Sequence, residues 1–123
     1  MKKRLTALLL TAILLLSLAP AVFASDLMED GRFYAKQDRS RTCTLSAAAM
    51  MLRRRAYLDG DADWTSVTES DVRSRAWSNG LAHSFSYHGI SVGYSTISGS
   101  TEDKEAALIS LLDEHPEGIV IYD

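Results

Sequence analysis

The stretch from Leu45 to Ala56 constrains this chain more than any other. Leu45, Ala48, Ala49, Leu52 and Ala56 recur at spacings of three and four, so they line one stripe of a helix. Met50 and Met51 read as further core packing, and Arg53, Arg54 and Arg55 fan around the opposite side as a solvated face. Thr42 stands at a plausible N-cap and Gly60 at a plausible stop after Leu58 and Asp59, so the pattern predicts a helix over 43–59. A chain of this size buries one modest core, and this helix is its clearest element.

Not all 123 residues belong to that core. Lys2, Lys3 and Arg4 precede an apolar run from Leu5 to Ala19, interrupted only by Thr6, Thr11 and Ser17. After Pro20, the small residues around Val22, Phe23 and Ala24 fit a signal peptidase, so 1–24 reads as a secretory signal peptide cut between Ala24 and Ser25. The run falls short of the roughly 20 residues that span a bilayer, which predicts membrane contact only transiently, during export. Acidic, Gly-terminated Ser25–Gly31 opens a flexible mature N-terminus over 25–33, and 34–123 is the folded domain.

Removing the first 24 of 123 residues leaves 99 and takes away three basic side chains and no acidic ones. The balance of 13 basic against 16 acidic becomes 10 against 16, and net charge moves from -3 to -6. That sign argues against a nucleic-acid partner. With 46% apolar and 24% charged residues, the composition excludes a collagen-like, disordered or coiled-coil chain. A small exported domain usually carries disulfides. Here the one cysteine, Cys43, allows no internal bridge, which leaves intermolecular pairing or a working thiol.

The remaining elements complete an α+β class. Arg32–Lys36 suggests a short strand. A second helix is expected over Glu69–Ser78, capped by Thr68 or Ser70, with Val72, Ala76 and Trp77 inward and Asn79-Gly80 at its end. Residues 81–99 suggest loops and one or two short strands. Ser100 to Asp103 opens a third helix whose apolar face is Leu108, Ile109, Leu111 and Leu112, ended by Pro116. Gly118–Tyr122 has the composition of a buried strand, and a sequence stopping just after it reads as a truncated product or fragment.

Cys43 falls in the first turn of the strongest helix, where backbone N–H groups and the helix dipole favour the thiolate, and Arg39 and Arg41 add positive potential. Gln37 stands six residues earlier. Its amide N–H, with that of Cys43, can form a two-donor oxyanion hole for a tetrahedral acyl intermediate. The competing reading makes Cys43 a buried, inert thiol. His83 and His88 read as solvated loop residues and His115 as a charge partner for a helix end. Zinc at Cys43, His83 and His88 matches no familiar spacing, and no cofactor is implied. Trp64, Trp77 and the five tyrosines read as core filling before a peptide groove.

The segment from Tyr34 through Gln37 and Cys43 to Leu52 resembles papain-like cysteine peptidases. It is most similar to the bacterial bacteriocin-processing (double-glycine) peptidase-like family, whose members have Gln, five residues, then Cys at the head of an Ala/Met/Leu-rich helix. Ala107 to Tyr122 also looks like that family's helix, loop and central strand. The resemblance implies the N-terminal, helix-rich part of the papain-like fold plus the start of its central antiparallel sheet. It also implies a peptide or protein substrate and hydrolysis through a Cys43 thioester, with Gln37 as oxyanion donor. Two features depart from the family: Thr44-Leu45 stands where Gly-Pro usually follows the cysteine, and no residue here occupies the position of the catalytic histidine or its Asp/Asn orienter. Acyl transfer without a positioned base is slow, so little activity is expected of this chain alone. The alternative is a small secreted binding module with a structural cysteine.

Overall fold

The computed structural model describes residues 24–122. In chain order it holds helix α1 (Ala24–Glu29), α2 (Cys43–Leu58), α3 (Glu69–Ala76), strands β1 (Phe85–Tyr87) and β2 (Ile90–Val92), and α4 (Thr101–Glu114). Single 3-10 turns lie at Gly31–Phe33 and Trp64–Ser66. The class is α+β: mixed helix with one small antiparallel sheet.

The periodic stripe of α2 is the centre of the core. Leu45, Ala48, Ala49 and Leu52 are fully buried, packed with Val67, with Val72 and Ala76 of α3 and with Tyr87 of β1. Helix α2 ends as its sequence requires. Gly60 takes φ +78, its N–H donates to the Tyr57 carbonyl, and the Asp61 N–H donates to Ala56, which closes a Schellman motif. The Thr68 hydroxyl caps α3 by accepting the Asp71 N–H. That helix stops two residues earlier than expected because Trp77 turns extended and bridges Leu81. In the hairpin, Tyr87 pairs with Ile90 across a two-residue turn in which His88 and Gly89 both take positive φ, the combination that matches strand twist. Ser100 and Asp103 complete a reciprocal capping box at the start of α4.

Several expectations are corrected. The arginines at 53–55 are no solvated face: all three are partly buried and grip other parts of the chain. Arg53 donates to the carbonyls of Val67 and Tyr34, Arg54 to that of Glu117, and Arg55 pairs with Asp59 and lies 3.6 Å from Glu117. Gly118–Tyr122 joins no strand; Gly118 is buried, but Ile121 and Tyr122 are exposed. β-Branched residues favour a strand only where a neighbour offers a ladder, and the described sheet is the hairpin alone. Arg32–Lys36 is likewise no strand, because the Asp30 carboxylate accepts the Arg32 N–H and winds Gly31–Phe33 into a 3-10 turn. Helix α1 buries Leu27. The apolar face of α4 is only half covered: Leu108 and Leu111 are partly buried, whereas Ile109 and Leu112 are exposed.

The C-terminal segment is seated on α2 and α1. Besides the Arg54 bond, Gly118 lies against Met28 so closely that an added Cβ would stand 2.1 Å from Met28 Cε, and its φ is +92. Gly118→Ala therefore carries a backbone penalty of about 1 to 3 kcal/mol, while the clash falls on the far end of an exposed methionine that can turn aside. Urea denaturation is expected to show that loss, and adding Met28→Ala to leave it largely in place, because the strain lies in the backbone. A wild-type midpoint for Gly118→Ala would refute the positive φ at this position.

Candidate active site

Cys43 is the first residue of α2 and is exposed, so the buried-thiol reading is set aside. Its surroundings follow from how the loop before it folds. Thr42 occupies the N-cap position but does not cap. Its hydroxyl donates backward to the Arg39 carbonyl at 2.7 Å, and the first-turn N–H groups keep no side-chain partner. Gln37 Nε2 donates to that same carbonyl at 2.5 Å. One oxygen thus gathers both ends of the 37–42 loop, and Arg41, two residues before the cysteine, is held at φ +64. The two proposed oxyanion donors, Gln37 and Cys43, therefore flank one small loop, but the Gln37 amide is engaged within it.

A residue missed from the sequence completes the loop's support. Glu69 opens α3, its side chain is 1% exposed, and its Oε2 accepts the Asp38 N–H at 2.8 Å. An acid in a helix's first turn is ordinary for dipole reasons, so nothing in the sequence marked this one as buried.

The three histidines are occupied elsewhere. His83 stacks on Tyr94 with centroids 4.1 Å apart. His88 Nε2 lies 3.5 Å from Asp71 Oδ2, and His115 Nδ1 lies 3.1 Å from Glu117 Oε1. No described side chain is hydrogen-bonded to Cys43. Among the described residues no three His, Cys, Asp or Glu side chains gather as metal ligands. None of the described helices is long and apolar enough to cross a membrane.

A cleft of about 710 Å³ opens elsewhere, walled by Met51 and Leu52 of α2, by 91–97 running from β2 into the loop after it and by 117–122. His83 and His115 line it and Cys43 does not. Its volume suits a ligand pocket, and its walls are mainly apolar.

Away from Cys43, Tyr87 of β1 is hydrogen-bonded to Asp71 of α3. The buried Tyr87 hydroxyl donates to Asp71 Oδ2 at 2.5 Å and, with help from His88 and Arg75, holds that carboxyl below its usual range against the opposing effect of burial. The carboxylate's contribution to stability is present above the ordinary value of about 3.9 and is lost as pH falls through the lower folded one. Tyr87→Phe is expected to raise the Asp71 titration midpoint, read by carboxyl NMR. It should also cost about 1 kcal/mol at neutral pH, a modest figure because Asp71 keeps a wet side. The loss should shrink at pH 2, and an equal loss at both values would refute the charge assistance. Comparison of this chain with protein-family models, with the curated proteins and with the solved structures finds no match.

Proposed function

We propose that the chain is an exported bacterial cysteine peptidase-like protein of the papain-like fold, acting on peptide or protein substrates through Cys43. The observation that carries this reading is the placement of an exposed cysteine as the first residue of the central buried helix, with first-turn N–H groups that no side chain caps. The helix's positive end favours negative charge at that point. In the proposed step Cys43 Sγ adds to a substrate carbonyl. The developing oxyanion is held by the Cys43 N–H and by Gln37 Nε2, which exchanges the Arg39 carbonyl for it while Thr42 keeps the loop closed. Collapse to the thioester expels an amine that needs a proton. His83, His88 and His115 are each engaged away from Cys43, so this chain is expected to perform thiol chemistry readily and peptide turnover slowly.

A second reading, a secreted binding module, is favoured by the cleft that excludes Cys43. Thiol kinetics separate the two. Iodoacetamide is expected to alkylate Cys43 about fivefold or more faster than free cysteine at neutral pH, and an equal or slower rate would reject the nucleophile. Gln37→Ala should slow acylation by an activated ester by roughly 100-fold and slow alkylation, which builds no oxyanion and feels only the loosened loop, far less. Export predicts Ser25 as the mature N-terminus, which intact mass after secretion would reveal.

A further inference from the structure

We propose that Glu69 is the positioning residue for the Cys43 thiol, its buried carboxylate anchoring the loop that delivers Cys43 to the surface. The inference rests on the reading of Cys43 as a nucleophile. A carboxylate is kept out of water only at a free-energy cost unless partners offset it, and Glu69 has few. The positive end of α3 lies beneath it, Arg73 is 3.8 Å away, and Oε1 has no hydrogen-bond partner. Its one hydrogen bond goes to the Asp38 N–H, 31 residues earlier, at the start of the cysteine loop.

From that anchor the loop is fixed link by link. Asp38 adjoins Gln37, Gln37 and Thr42 share the Arg39 carbonyl, and Arg41 is held in the left-handed region immediately before Thr42 and Cys43. A non-glycine residue persists there only when its surroundings over-determine it. Here Glu69 fixes one side of the loop and α2 the other. Without the Glu69 acceptor, Arg41 relaxes and the Thr42 hydroxyl is released to turn forward and cap α2. It then occupies first-turn N–H groups that the uncapped helix leaves open beside the thiol.

Two near-isosteric variants of the full chain test this. Glu69→Met keeps the length and burial but has no acceptor; Glu69→Gln keeps an acceptor oxygen at the same reach. Glu69→Met is expected to slow iodoacetamide alkylation of Cys43 about fivefold at neutral pH and to speed Asp38 amide exchange about tenfold, with Glu69→Gln restoring both to within about twofold of wild type. Wild-type alkylation in Glu69→Met, or a Glu69→Gln that behaves like Glu69→Met, overturns the proposal. If near-UV circular dichroism shows Glu69→Met unfolded, Asp38→Pro removes the same hydrogen bond from the loop side, and an unchanged alkylation rate there overturns it equally. Should wild-type Cys43 react no faster than free cysteine, the nucleophile reading falls and the thiol role of Glu69 with it. The loop anchor is then decided by Asp38 exchange alone, and unchanged exchange in Glu69→Met refutes it.

Discussion

Three consecutive arginines hold this structure's irregular parts to its one long core helix. Successive residues of an α-helix point about 100° apart, so Arg53, Arg54 and Arg55 leave α2 in three directions. Arg53 meets the stretches around 34 and 67 at the carbonyls of Tyr34 and Val67, while Arg54 and Arg55 converge on Glu117 and Arg55 also meets Asp59. The segments around 34, 67 and 117 lie outside the named helices and strands, so their carbonyls lack a ladder to satisfy them. A guanidinium offers several donors in a rigid fork while its stem packs on apolar surface, which suits it to fastening such backbone. Lysine at these positions offers a compact point charge without the rigid planar fork by which Arg53 spans two carbonyls.

The same helix presents its other end to chemistry. Its C-terminus is closed by a full Schellman motif, whereas its N-terminus is left without a side-chain cap because Thr42 faces backward to Arg39. An uncapped helix start normally forgoes about 1 kcal/mol. Here it keeps the N–H groups beside Cys43 open to an incoming negative charge, so a local loss of stability coincides with the place where the proposed chemistry needs donors.

Much of the regular structure was legible because it follows from local rules. The stripe from Leu45 to Ala56 defined α2 to within a residue, and Ser100 with Asp103 marked the start of α4. What failed depended on partners that a sequence does not display. Gly118–Tyr122 has strand composition without a strand beside it, and the arginines looked solvated because their acceptors are distant backbone carbonyls. At the candidate site, Cys43 and Gln37 stood out through spacing and helix position. Glu69 did not, since its role depends on a contact 31 positions back along the chain.

The seat of Met28 on Gly118 bears on the order in which the molecule assembles. These residues are ninety positions apart in the sequence, so closing that contact carries one of the larger loop-closure costs in the fold. The α2–α3 core is built from closer neighbours and needs neither residue. During synthesis α1 emerges well before Gly118, so its methionine has no glycine to rest on until that residue has left the ribosome. The first described helix therefore meets the 117–122 segment late, after the α2–α3 core that lies between them in sequence has formed.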